Sequence, residues 1–170
     1  MIVARPGKGK LAAMVEVREA RAEDWPAVES LLADLGRPDV RGTPEEERAR
    51  DLFLGYLERT DTIALVAEDE GGVIGFCDVE FRPRLNFTTQ QAWIPDLIVA
   101  EDARGRGAGA ALLQRAEQLA RERDCWSITL ESANWRTRAH AFYEREGWLD
   151  SAHAFVKLLA EGLDWPPSPR

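Results

Sequence analysis

The stretch Arg104-Gly105-Arg106-Gly107-Ala108-Gly109 constrains this chain most, because of what stands on either side of it. An apolar run ends at Val99 and a short acidic loop follows. Behind the glycines a helical pattern begins, with Leu112, Leu113, Ala116, Leu119 and Ala120 on one face. Strand, glycine turn and helix in that order leave backbone N–H groups exposed where a helix starts, a position that favours anions. The two arginines add bidentate phosphate donors. The loop therefore reads as a cradle for a pyrophosphate.

The flanking segments predict a single α+β domain. Val15–Ala20 alternates like a half-buried strand. A helix opens near Ala22, with Asp24 as its N-cap, Pro26 in its first turn and Gly36 at its end. Thr43-Pro-Glu-Glu-Glu caps a second helix carrying Leu52, Phe53, Tyr56 and Leu57. Ile63–Ala67 and Val73–Phe81 form a hairpin around Gly71-Gly72. After a polar loop, Arg82–Gln90, the run Ala92–Val99 is a strand in which Pro95 cannot donate to a ladder, so a bulge or splayed edge is expected. Trp126–Glu131 is a strand, Thr137–Glu146 a helix ended by Gly147, and Trp148–Leu158 further strand. The domain is expected over 14–160, behind a disordered leader at Met1–Ala13 and before a loose tail at 161–170.

Three phosphate ligands compete for the glycine loop. A P-loop needs a Gly-Lys-[Ser/Thr] ending that the loop lacks. The dinucleotide fingerprint is met by Gly105, Gly107 and Ala110, with Glu131 as a ribose-binding acid. Against it, Ala100–Arg104 separates the strand from the first glycine, and too little chain follows Glu131 for further βα units.

The third reading covers more of the chain. Arg104, Gly107 and Gly109, after a strand and before a helix, resemble the acetyl-CoA signature of the GNAT (GCN5-related N-acetyltransferase) superfamily. Asp96-Leu-Ile-Val resembles that family's splayed fourth strand. Leu130-Glu-Ser-Ala-Asn134, followed by Ala139-His-Ala-Phe-Tyr143 and Gly147-Trp148, resembles its second motif. The likeness runs from Val15 to Leu158. It implies αβα layers: a mixed, mostly antiparallel sheet with a splayed fourth strand, flanked by about four helices.

What the resemblance implies chemically is acetyl transfer from acetyl-CoA, as co-substrate, to a small-molecule or peptide amine in a ternary complex. Backbone N–H groups of Leu97, Ile98 and Val99 become the oxyanion donors and the edge for the pantetheine arm. Amides of Arg104, Gly105, Arg106, Gly107, Ala108, Gly109 and Ala110 hold the pyrophosphate, with Arg106 alternatively a solvated side chain. Tyr143 matches the family's general acid, or else anchors its helix as Phe142 does; Asn134 bonds the pantetheine arm, or caps a turn. Asp96 is the candidate base, with Glu80 and Glu131 as rivals, and His140 reads as a surface histidine. The acceptor is expected between the first two helices and the Arg82–Gln90 loop, where Trp25, Tyr56, Phe87 and Trp93 offer apolar walls. Homodimers are common in such folds, so a dimer is a further implication. The alternative function is a domain that binds or senses acyl-CoA without turnover.

Composition narrows the partners. A formal charge of −8 disfavours non-specific contact with nucleic acid or anionic membranes. Cys77, Cys125, His140 and His153 lack the spacing of a metal site, and two cysteines make no disulfide framework, so a cytoplasmic chain with reduced thiols and no metal is expected. No apolar run reaches the roughly 20 residues of a membrane span.

Overall fold

The computed structural model describes residues 14–85, 87–157 and 159. The expected leader and tail lie outside them. The elements are β1 (Glu16–Glu19), α1 (Trp25–Leu35), α2 (Glu46–Glu58), β2 (Thr62–Asp69), β3 (Gly72–Pro83), β4 (Gln90–Ile94), β5 (Leu97–Val99), α3 (Ala108–Glu122), β6 (Ser127–Leu130) and α4 (Thr137–Arg145). The strands form one six-stranded sheet in the order β1-β2-β3-β4-β6, with β5 also on β3. Its pairings are antiparallel except for β4 with β6.

The middle of the sheet is buried on both faces, which is why β2 and β3 read as nearly continuous apolar runs. Leu65, Ala67, Cys77, Val79 and Phe81 meet Leu112, Leu113 and Ala116 of α3 on one face. Ala64, Val66, Phe76 and Ile98 meet Trp25, Val28, Leu31 and Phe53 on the other, from α1 and α2. The expected αβα layering thus follows from side-chain alternation alone.

Helix entries differ in detail from the sequence reading. Asp24 precedes α1 but bonds no amide of that helix. Its carboxylate turns back to the Arg21 N–H at 2.7 Å and to Arg18 at 2.7 and 2.9 Å. Arg18 also holds Glu68 at 2.8 Å, and its hydrogen bond keeps buried Asp24 below the ordinary carboxylate range. At α2 the Thr43 hydroxyl accepts the Glu45 N–H and the Glu46 carboxylate accepts the Gly42 N–H, so the helix starts only at Glu46. Phe53 is its buried anchor, whereas Leu52 is exposed.

Two strand boundaries move. β3 continues through Arg82 and Pro83, which shortens the following loop to 84–89. The run Ala92–Val99 is two strands, parted at Pro95-Asp96 as the proline requires. The strand expected over Trp148–Leu158 is absent from the described residues 148–157, and Leu158 lies outside them. Alternation becomes a strand only with a ladder partner; here Leu149, Phe155 and Val156 stand exposed.

Leu112 is fully buried between α3 and the sheet. Leu112→Ala is expected to cost about 2–5 kcal/mol, the usual range for such a truncation, read as a lowered urea midpoint with an unchanged slope.

Candidate active site

The site is built around the place where β4 gives way to β5. β3 pairs with β4 from Glu80↔Trp93 onward and with β5 from Cys77↔Leu97 backward, so Asp78 and Val79 lie opposite the interruption. β6 follows β4 as far as Ile94↔Leu130 and does not pair with β5. The strands therefore splay. The Asp96 carbonyl accepts the Asp78 N–H at 3.2 Å, and the Ala100 N–H donates to the Ile74 carbonyl at 2.9 Å. By antiparallel alternation, Ile98 faces β3, while Leu97 and Val99 turn their backbone groups into the splay.

The glycine loop sits at the end of this edge. Gly107 precedes α3 with φ 89°, a left-handed conformation that glycine adopts without steric cost. The Ala111 N–H makes the first intrahelical bond, to the Gly107 carbonyl, so the amides of Ala108, Gly109 and Ala110 have no partner within the helix. A Cβ at Gly109 would stand 3.2 Å from the Phe142 ring of α4, so α4 packs directly on the start of α3 beside Val99. Arg104 is half exposed and only 3.9 Å from Glu101, which leaves its guanidinium beside Gly105 able to take a phosphate. Arg106 instead pairs with Asp69 at the β2–β3 turn, where Asp69 also accepts the Gly71 N–H. Free helix amides, the open edge of β5 and Arg104 fit a long ligand ending in a pyrophosphate.

On the α3/α4 face of the splay stands Tyr143. Its ring lies 5.3 Å from that of Phe142 and 6.2 Å from that of Trp148, and it packs on the core that contains Cys77. Burial, followed by the nearby Cys77, pushes its phenol up to about 12, partly offset by Arg136. It stays protonated at neutral pH, as a proton donor must. Burial pushes the Cys77 thiol up, so this sulfur is no nucleophile.

The α1/α2 face carries carboxylates. Asp96 accepts two hydrogen bonds from Arg37, from Nε at 2.8 Å and Nη2 at 2.5 Å. Asp78, 8% exposed, accepts the Asp96 N–H at 2.8 Å. Burial and the charge of Asp96 push Asp78 up to about 8. Tyr56 of α2 buries its hydroxyl beside the Asp78 carboxyl, outside ideal hydrogen-bond geometry, and burial, then the charges of Asp78 and Glu80, raise its pKa. Arg136 donates to the Leu35 carbonyl at 2.6 Å, tying the β6–α4 connection to the end of α1.

The remaining sequence candidates scatter. Glu80 pairs with Arg82, Glu131 is exposed past the end of β6, and Asn134 is exposed in the turn before α4. His140 lies half-buried on α4. Trp25 belongs to the core against Phe53, and Trp93 lies under the Arg82 guanidinium at 3.5 Å. Phe87 stacks on Trp126 at 4.6 Å, beside the first residue of β4 and away from the splay, so the 84–89 loop does not flank the break. Sequence reasoning missed Asp78, Arg37 and Arg136. Asp78 had a signal: an acidic side chain in the middle of the apolar run Val73–Phe81.

The sequence and the fold are shared with known proteins. Residues 9–148 match the Acetyltransferase (GNAT) family. The chain is 29% identical over 144 residues to the aminoalkylphosphonate N-acetyltransferase of Salmonella typhimurium, covering 85% of this chain and 91% of that one. It is 25% identical over 111 residues to the aminoglycoside N(6')-acetyltransferase type 1 of Klebsiella aerogenes, covering 64% and 72%. Among solved structures, a transcriptional regulator from Bacillus halodurans C-125 superposes with a TM-score of 0.75 at 28% identity, over 85% of this chain and 99% of that chain. Among the described residues no helix is long and apolar enough to cross a membrane.

Asp78 also sets a pH dependence of stability. Its ordinary value is 3.8 and its folded value about 8, so between these the folded protein keeps a proton that the unfolded chain releases. Its contribution is complete below the lower value and is lost as pH rises through the upper one. Between about pH 5 and about pH 8, the urea stability of Asp78→Asn relative to the wild type is expected to shift in the variant's favour. A constant difference across that range would contradict the buried protonated carboxyl.

Proposed function

The chain belongs to the acetyltransferase (GNAT) family, and from that membership we propose that it moves the acetyl group of acetyl-CoA onto a primary amine of a small molecule by direct attack in a ternary complex. The observation that carries the proposal is the opposition of Tyr143 and Asp96 across the splay, with the outward amides of Leu97 and Val99 between them. When bound, acetyl-CoA supplies the activated thioester. The amides of Gly105–Ala110 and Arg104 receive its pyrophosphate, and the edge of β5 pairs with the pantetheine arm. The Leu97 and Val99 N–H groups stabilise the developing oxyanion. Tyr143 protonates the departing thiolate. Asp96, fixed by Arg37, draws the acceptor's ammonium into line on the opposite face.

The relatives named for aminoalkylphosphonates and aminoglycosides support a small-molecule amine as acceptor. The test is calorimetry with acetyl-CoA and CoA, followed by release of free thiol with aminoalkylphosphonates, aminoglycosides, polyamines, amino acids and lysine peptides. Binding together with thiol release on one amine class is expected. Binding without release on any amine would favour a sensing domain, and no binding would sink the proposal. Tyr143→Phe should keep acetyl-CoA affinity within about threefold and lower kcat about 100-fold or more, the range for loss of a general acid. Unchanged turnover would remove Tyr143 from that role.

A further inference from the structure

The acetyl-transfer reading gives the acid a residue and leaves the base open. An acceptor amine arrives as an ammonium and must lose a proton before its nitrogen can attack. Around the break in the sheet, the carboxylates differ in what already occupies them. Asp96 is taken up by Arg37 and Glu80 by Arg82. Asp78 lies between those two; its Oδ1 accepts the Asp96 N–H, and the Tyr56 hydroxyl lies beside its carboxyl.

Its position also suits the approach of an amine. At this register the α3/α4 face is filled by Cys77, Phe142 and Tyr143. A nucleophile attacking a carbonyl held at the Leu97 and Val99 edge comes from the other face, where β3 alternation puts Asp78. That space also holds the buried Tyr56 hydroxyl, next to the Asp78 carboxyl. On the acetyl-transfer reading of this same site, we propose that Asp78 is the catalytic base, taking the proton that the acceptor's ammonium must lose before attack.

The step balances without a further reactant. R–NH3+ passes one proton to the Asp78 carboxylate and becomes R–NH2. The nitrogen lone pair forms the C–N bond at the thioester carbon. The C–S bond then breaks, its electron pair leaving on sulfur, and Tyr143 gives that sulfur a proton. The second nitrogen proton restores Tyr143, and Asp78 returns its own proton to solvent. The charged and titratable groups around Asp78 are Asp96, itself paired with Arg37, at the break, Glu80 and Cys77 on its own strand, and Tyr56 on α2. Buried among them, Asp78 titrates in the range where a base serves an ammonium best while still partly ionised.

The experiment uses acetyl-CoA and whichever amine of the panel gives the fastest thiol release. For the wild type, kcat/KM should rise with pH to a plateau above about pH 8. Asp78→Asn, whose amide oxygen can still accept the Asp96 N–H, should lower kcat/KM about 100-fold or more and abolish that limb. Its acetyl-CoA affinity should stay within about threefold of the wild type, which a collapsed splay would not allow. Asp78→Glu should keep the limb at reduced rate. Asp96→Asn removes the repelling charge, so it should move the limb to lower pH rather than remove it. Asp78→Asn with kcat/KM within about threefold of the wild type and the limb in place would overturn the proposal. Loss of the limb in Asp96→Asn would overturn it too and make Asp96 the base. If the wild type releases thiol with no amine, acetyl transfer itself fails and this assignment with it; failure of the Asp78 variants alone leaves acetyl transfer standing.

Discussion

A backbone amide that no ladder receives organises this protein's site. Pro95 stops β4 from continuing, and the next amide, Asp96, donates to the buried Asp78 side chain instead of to β3 main chain. An N–H abandoned at that depth would cost several kcal/mol, so a carboxyl beneath it is what makes the interruption tolerable. Once β5 is offset there, it cannot stay beside β6. The gap and the outward amides of Leu97 and Val99 follow from that offset.

The break also separates two sets of ionisable groups. Successive residues of β3 point to opposite faces, so Cys77 lies beneath the Tyr143 side while Asp78 lies beneath the α1 and α2 side. The Tyr143 phenol and the Asp78 carboxyl are thus held on opposite faces of the sheet. Tyr143 keeps its proton because the sheet and α4 shield it, and Asp78 tends to keep one because burial and Asp96 disfavour its charge.

The glycine loop and its helix were legible in the sequence because they rest on local rules. Glycines at the turn, an apolar face at helical spacing and an apolar strand before them specify strand, loop and α3 without reference to the rest of the chain. Pro95 announced the break for the same reason, since a residue without an N–H cannot sit inside a ladder. Arg37 and Arg136 were not legible: their partners, Asp96 and the Leu35 carbonyl, lie far along the chain, and nothing near either arginine hints at them. Asp78 falls between these cases. Its place inside an apolar strand was visible, but its meaning depends on which amide of another strand lands above it. The strand expected after Trp148 failed on the remaining requirement, a neighbour to pair with.

The way the end of α1 is fastened has a consequence of its own. Arg37 reaches from beyond α1 to Asp96 and the Pro95 carbonyl, and Arg136 reaches from before α4 back to Leu35. These are side-chain stays rather than strand pairing, and they close the seam where the end of α1 meets the break in the sheet and the β6–α4 connection. A seam closed by guanidinium groups yields to salt and to competing anions, as a ladder of main-chain bonds does not. The end of α1 can therefore loosen at high salt while the sheet's own ladder keeps its form, so the two arginines give this corner of the fold a salt sensitivity that its main-chain bonds do not share.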